Sequence, residues 1–508
     1  MGAKCIMIQG TGSSVGKSRI VTGLCRILKE DGFKVAPFKA QNMALNSYIT
    51  REGLEIGRAQ ATQAEACGVE PSVLMNPVLL KPTSDKNCQV IIRGRVYGNL
   101  SAMDYHEFKA ELKKVVKEAY DELKSQYEVI VIEGAGSPAE INLRENDLVN
   151  MGMAEIAGAP VVLVGDIDRG GVFASLYGTI MLLEEKERER VKGVVINKFR
   201  GDIKLLEPGI KMLEDLIKRP VLGVVPFDYS YIDEEDDPGF EMYRLKLKKG
   251  FRESVVIKIL LLPHISNFTD FVPLSNFENA SIEYVRPGQV IGDADAVIIP
   301  GTKNTIGDFL KVKEWGWDEE VKELAKKGTV IVGICGGFQM LGKSIKDPYG
   351  VEGDIREIEG IGLLDVETEV TREKVTKKAA GHVLEHKKGL AAYLSNSPFE
   401  GYEIHMGKTL NMGAGKNFSL IKRKGESEEL PDGAVDETGN VLGTYVHGIF
   451  ESGEFTKRFM NFLYERKSLK PAVGNIDFWK FKEEQFNNWA RILRQSLDMG
   501  AIYKIMGL

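Results

Sequence analysis

The chain has 508 residues, too many for one ordinary core, so two or three domains are expected. Its 43% hydrophobic and 28% charged residues fit a globular chain and argue against a disordered or membrane-embedded one. A formal net charge of −6 gives no global pull toward nucleic acid or an anionic membrane, so neither is expected as a partner. The five cysteines (Cys5, Cys25, Cys67, Cys88, Cys335) are scattered and form no CxxC pair, which leaves neither a zinc site nor a disulfide framework to read. A reducing cytoplasm fits that usage. The N-terminus runs directly into strand-like Cys5–Gln9 without a signal-peptide layout, and no apolar run approaches the ~18 residues that span a bilayer.

From residue 4 to about 227, short apolar runs alternate with helical patterns. Ile6–Ile8, Val129–Ile132, Val161–Val164, Gly193–Ile196 and Val221–Val225 are rich in β-branched residues. Such runs, buried on both faces and separated by helices, predict a parallel sheet in an α/β layer fold. The first run leads into Gly10-Thr-Gly-Ser-Ser-Val-Gly16-Lys17-Ser18, followed by a helical stretch. Backbone N–H groups and a helix N-terminus suit a phosphate there, the lysine a β/γ-phosphate and the serine hydroxyl a Mg²⁺. Gly12, Ser13, Val15, Gly16, Lys17 and Ser18 are therefore candidate nucleotide contacts, although Thr11 stands where the strict P-loop spacing wants glycine. Val129–Ile132 ends in Glu133-Gly-Ala-Gly-Ser-Pro138, and an acid at that strand edge can reach the metal beside the loop. Asp166 and Asp168 end the next strand and point to the same crevice, with turn capping an equal reading for Asp168. Asn197-Lys198 closes another, either as a base-reading pair or as a polar turn.

Asp228–Gly239 is acidic and turn-rich and reads as an interdomain linker. A second α/β rhythm follows: Val255–Leu262, Ala296–Pro300, Val330–Val332 and Val441–Val446. Thr368–Lys388 is highly charged and is expected to be a surface excursion; the tail Phe478–Leu497 is expected to be an amphipathic helix packed on the second domain.

The second half centres on Gly333-Ile-Cys335-Gly-Gly337 between a strand and a helix. Small residues around a central nucleophile form an elbow, with Cys in place of Ser, and the expected turn presents the sulfur to solvent. The helix N-terminus favours the thiolate. Such a thiol needs a base and an oxyanion hole. Of the six histidines, His447 closes a strand-like run on the expected sheet edge; His405 is its competitor, and His106, His382 and His386 lie in charged stretches. Pro300-Gly301-Thr-Lys-Asn304 could offer backbone donors, and Gly336 follows the nucleophile, so Gly301 and Gly336 are the oxyanion candidates.

The loop at Gly10–Ser18 and the Glu133-Gly-Ala-Gly136 turn resemble those of dethiobiotin synthetases, which implies ATP use, with Glu133 and Ser18 as Mg²⁺ ligands and Asn197 reading adenine. Gly-Ile-Cys335-Gly-Gly-Phe-Gln-Met-Leu341 and Tyr445-Val-His447-Gly448 resemble the class I glutamine amidotransferase domain, which releases ammonia from L-glutamine through a thioester. Most such domains carry Glu two residues after the histidine; this chain has Ile449, and the third role is left unassigned rather than given to Glu451.

Together the halves resemble the amide synthases of the cobalamin pathway, and among them the cobyric acid synthase branch. Lys39–Ser47, Asn142–Met151, Ser266–Phe271 and Pro300–Thr305 carry that resemblance. It implies ATP- and glutamine-dependent amidation of a corrinoid, with Gln41, Asn42 and Asp147 on the substrate side. It also implies two parallel-sheet α/β domains: a dethiobiotin-synthetase-type, P-loop-like domain at 1–228 and a flavodoxin-like amidotransferase domain at 253–466. A linker at 229–252 and a helical tail at 467–508 complete the expected layout. Nothing in the pattern specifies an oligomeric state. The competing readings are cobyrinic acid a,c-diamide synthase, a partitioning-type ATPase, and an inactive glutaminase scaffold.

Overall fold

The computed structural model describes residues 2–82, 87–233, 254–412, 416–472 and 477–508, without the side chains of Ala102, Met103, His106, Glu107 and Ala110. The linker expected at 229–252 lies, beyond Asp233, outside the described residues. The chain divides into two units: Met1–Ala44, Leu54–Asp236 and Lys480–Leu508 form the first, Leu45–Gly53 and Asp237–Trp479 the second.

The first unit is built on a six-stranded parallel sheet, in the order Val221–Pro226, Val191–Phe199, Val161–Asp166, Lys4–Gly10, Val129–Glu133, Val35–Phe38. Their β-branched runs are buried on both faces, as a covered parallel sheet requires. After Lys4–Gly10 the chain places two strands on one side and the next three on the other. The crevice at the carboxyl end of Lys4–Gly10 is thus a topological switch point, the usual ligand position in such sheets. A smaller sheet, Gln41–Met43, Val78–Pro82, Asn87–Ile92 and Arg95–Ser101, completes the unit.

The tail corrects an expectation. Phe478–Ser496 is a helix, but from Lys480 it belongs to the first unit, not the second. Phe486, Trp489, Ala490 and Leu493 share a core with Ile20, Val21 and Leu24 of helix Lys17–Glu30. The Trp489 indole donates to the Arg19 carbonyl at 2.6 Å, and the Arg19 guanidinium lies 4.7 Å from the same ring. The apolar stripe of the tail was legible; which of two parallel-sheet units it covers is decided by shape at Gly23, where a Cβ would sit 2.3 Å from Leu493 Cδ1.

The second unit has its own six-stranded sheet, Ala280–Val285, Val255–Leu260, Ala296–Ile299, Val330–Ile334, Val441–Thr444, Ala434–Val435, parallel except for the last pair. Beside it stands a seven-stranded sheet in which Val366–Val383 pairs antiparallel with Pro398–Asn411. The charged stretch read as a surface excursion is therefore a long strand. Val366, Thr368 and Val370 are buried while Glu369 between them is exposed, the alternation of a sheet with one wet face. The run Val441–Val446 is also not one strand: Val441–Thr444 stays in the parallel sheet, whereas Val446–His447 pairs antiparallel with Tyr402–Glu403 in the other.

Candidate active site

Val330–Ile334 is a fully buried interior strand, and the chain breaks at Cys335 into the short helix Gly336–Leu341. Cys335 takes φ 52°, ψ −108°, a conformation that costs a non-glycine residue about 1–3 kcal/mol. The turn is this tight because Gly337 presses on the neighbouring strand: a Cβ there would lie 2.0 Å from the Ile299 carbonyl oxygen. The elbow is present, but its sulfur does not open to solvent as expected. Cys335 is 6% exposed, and Sγ lies 3.7 Å from the Ile404 carbonyl.

His447 is the partner of Cys335. Its Nε2 has no fixed hydrogen-bond partner and faces the Cys335 thiol, while Nδ1 lies 2.7 Å from Asp270 Oδ2. Asp270 Oδ1 accepts the Gly448 backbone N–H at 3.1 Å, and both side chains of the pair are buried. Burial alone would drive the imidazole toward neutrality. The Asp270 carboxylate and the neighbouring Cys335 outweigh it and raise the His447 pKa from 6.5 to about 10. Tyr402 stacks on the imidazole at 5.5 Å and 19°. His405, the competitor, is engaged elsewhere: Nδ1 with the Gly407 carbonyl at 2.8 Å, Nε2 with Glu403 at 3.2 Å, and its ring on Tyr445.

Two backbone segments flank this pair. A Cβ on Gly301 would sit 2.7 Å from His447 Cε1, and one on Gly336 would sit 3.2 Å from the Thr302 backbone nitrogen. As the first residue of its helix, Gly336 has no intrahelical acceptor for its N–H. Asp270 is the residue that motif reading missed. It stands in the segment Ser266–Phe271, and its only sequence signal is a carboxylate set between apolar residues, Phe268 and Phe271, where an unpaired charge would be costly.

In the first unit the loop after Lys4–Gly10 turns through Ser14 at φ 56° and Gly16 at φ 94° into helix Lys17–Glu30. Nothing lies within 4 Å of where a Cβ on Gly12 would be, and Ser13 is exposed, so this backbone faces open space; the Val15 side chain is buried. Lys17 Nζ donates to the Gly12 carbonyl at 2.8 Å and the Gly136 carbonyl at 3.0 Å, joining the loop to the Glu133–Gly136 turn. Ser18 Oγ donates to Glu133 Oε1 at 2.7 Å. Glu133 is fully buried; burial would raise its carboxyl, but the Lys39 ammonium at 3.0 Å and hydrogen bonds from Ser18 and Gln63 hold it below its ordinary value. Lys39 is thus the buried lysine on this carboxylate, whereas Lys17 bonds the carbonyl of Gly136 in the turn that follows it.

Several expected contacts have partners within the chain. The Asn197 amide donates to the Val15 carbonyl at 2.8 Å, buttressing the loop. Asp166 pairs with Lys198 at 3.0 Å and accepts the Asp168 N–H, while Asp168 pairs with Arg200 at 3.0 Å. Asp147 accepts the N–H groups of Val149, Asn150 and Gly152, so its carboxylate shapes the turn before helix Met151–Ala157. Asn42 is buried and donates to Gln60 at 2.9 Å; Gln41 accepts from the Tyr105 hydroxyl. Among the described residues no cluster of three or more His, Cys, Asp or Glu is arranged for a metal, and no helix is long and apolar enough to cross a membrane.

Comparison with known proteins places both halves. Residues 6–237 match the CobQ/CobB/MinD/ParA nucleotide binding domain, and residues 256–455 the CobB/CobQ-like glutamine amidotransferase domain. Cobyric acid synthase of Caldanaerobacter subterraneus subsp. tengcongensis is 57% identical over 502 residues, spanning 99% of this chain and 98% of its own. The chain belongs to the cobyric acid synthase family. Cobyric acid synthases of Thermoanaerobacter sp. (strain X514) and Alkaliphilus metalliredigens (strain QYMF) are 55% and 52% identical, each spanning at least 98% of both chains. Membership makes the protein an ATP-using ligase of the amidotransferase type, with the nucleotide domain in the first half and the amidotransferase domain in the second.

Proposed function

We propose that this protein amidates the b, d, e and g carboxylates of adenosylcobyrinic acid a,c-diamide in the cytoplasm, using ATP, Mg²⁺ and ammonia from L-glutamine. The observation that carries the glutaminase half is the buried Cys335–His447–Asp270 arrangement. Asp270 holds the imidazole by Nδ1, which leaves Nε2 toward the thiol. With its raised pKa the imidazole keeps a proton at neutral pH that it can give to a leaving group. Cys335 attacks the side-chain amide of glutamine, His447 protonates the departing ammonia, and water then releases glutamate from the thioester. The N–H of Gly336 and the backbone at Gly301–Thr302 suit the oxyanion.

A carboxylate is a poor electrophile, so the synthetase half must first turn it into an acyl phosphate. The loop Gly12–Ser18 offers backbone N–H groups to the phosphates, and Lys17 and Lys39 supply positive charge where charge develops on the transferring phosphoryl group. Mg²⁺ fits the residues present: an ionised buried carboxylate, Glu133, with the Ser18 hydroxyl on it, is a donor set that binds Mg²⁺ together with phosphate oxygens. When bound, the ion would neutralise phosphate charge. Gln41 and Asn42 adjoin this centre on the chain that follows Lys39, and we assign them to shaping the acceptor side; Asn197 supports the loop from which the nucleotide is held. The test is product mass. Incubation of cobyrinic acid a,c-diamide with ATP and glutamine should yield up to four added amides, and cobyrinic acid should not be taken to its a,c-diamide; the reverse selectivity would make the protein a cobyrinic acid a,c-diamide synthase.

A further inference from the structure

The segment Leu45–Gly53 belongs to the second unit although both its flanks belong to the first. Its residues touch the supports of the glutaminase pair. The Ser47 N–H donates to Asn267 Oδ1 at 3.1 Å, and the Ser47 carbonyl accepts the Tyr402 hydroxyl at 3.5 Å. Asn267 opens the turn that carries Asp270, whose N–H bonds back to the Asn267 carbonyl at 2.9 Å. Tyr402 is the ring stacked on His447. Ile49, fully buried, packs with Tyr402 and with Ile404, whose carbonyl faces the Cys335 sulfur. Farther along, Lys378 Nζ bonds the Tyr48 hydroxyl at 2.8 Å and Thr376 Oγ1 the Gly53 carbonyl at 3.1 Å. One short segment therefore contacts the carboxylate turn, the stacking ring and the strand facing the thiol. Upstream, the same chain passes within six residues through Lys39, which is bonded to Glu133, and through Asn42.

We propose that Leu45–Gly53 positions His447 and Asp270 in response to occupancy of the synthetase site, so that glutamine is hydrolysed efficiently only when nucleotide and acceptor are bound. The proposal rests on the glutaminase reading of Cys335. A shift of Lys39–Ala44 on binding phosphate or acceptor is passed along the backbone to Ser47, and from there to Asn267 and Tyr402. The segment makes no contact with glutamine itself in this scheme; it acts through the imidazole, so its residues are positioning residues.

The test measures glutamate release by the full-length protein, alone and with ATP, Mg²⁺ and cobyrinic acid a,c-diamide, alongside amidation driven by ammonium chloride. Asn267→Gly keeps the left-handed conformation (φ 53°) and removes the acceptor for Ser47. Ile49→Ala removes the apolar contact, and Tyr48→Phe removes one hydrogen bond with little risk to folding. The wild type should be stimulated within the range usual for coupled sites, about 5- to 150-fold. Asn267→Gly and Ile49→Ala should lose most of that stimulation, Tyr48→Phe part of it, with ammonia-driven amidation unchanged. Full stimulation retained in folded variants, or a wild type whose glutaminase ignores ATP and acceptor, would overturn the proposal. In either case glutamine-dependent amidation by the wild type would still uphold the glutaminase reading, whereas its absence would remove that reading itself.

Discussion

Asp270 sits 177 residues before His447 in the chain, and the two buried side chains are joined by a 2.7 Å contact. A buried imidazole in that position needs its Nδ1 proton held, or it can rotate or adopt the wrong tautomer. Asp270→Asn should therefore lower glutamine-dependent turnover by about 100- to 10,000-fold, the range for loss of acid–base function, and leave ammonia-driven amidation intact. Steady-state assays with the two nitrogen donors check this. The pH dependence has a definite sign. Because the folded state raises the His447 pKa from 6.5 to about 10, it binds the proton more tightly than the unfolded chain. His447 thus contributes stability that is fully present below pH 6.5 and is lost as pH rises through about 10. The melting-temperature advantage of wild type over His447→Gln should shrink across that window. Cys335 and His447 were legible because an elbow and a strand-end histidine are local patterns. Asp270 was not, since the fold brings the helical turn Phe268–Asn276 against the strand Val446–His447 and leaves no spacing to read; nor were the three backbone N–H groups on Asp147, because such contacts leave no spacing either.

Among the elements, the loop Gly10–Ser18 and the helix it opens show how local and long-range information divide. Strand, glycine-rich loop, lysine and serine were readable in order, and the structure places Lys17 and Ser18 on the Glu133 turn as that order implies. Lys17→Ala should depress amidation with glutamine and with ammonia alike, by about 100- to 1,000-fold, the scale for losing one charge-stabilising donor. If only the glutamine-driven reaction fell, the lysine would not serve the synthetase step. The same helix is completed from the far end of the chain by Trp489, buried against Arg19. Trp489→Ala should cost the nucleotide unit about 3–5 kcal/mol, read from urea unfolding followed at that unit. A cost near zero would mean the tail merely lies on the surface. The tail's helix was visible from its period, but its destination was not, because an amphipathic stripe says that a face is covered and not by which sheet.

At the scale of the whole molecule, two α/β units with parallel sheets were expected from the β-branched runs and are present, because such runs have few other ways to bury both faces. What escaped was the way the chain shares itself out. Leu45–Gly53 is given to the amidotransferase unit and Lys480–Leu508 to the nucleotide unit, so neither unit is one continuous stretch. A contiguous boundary near residue 228 follows naturally from composition, whereas exchanged segments depend on contacts far apart in sequence. The proposed division of labour between the units, ammonia made at Cys335 and used at a carboxylate activated beside Lys17, is tested most directly by Cys335→Ala with cobyrinic acid a,c-diamide and ATP. The expected result is no amidation with glutamine and undiminished amidation with ammonium chloride. Glutamine-dependent amidation retained in that variant would contradict it.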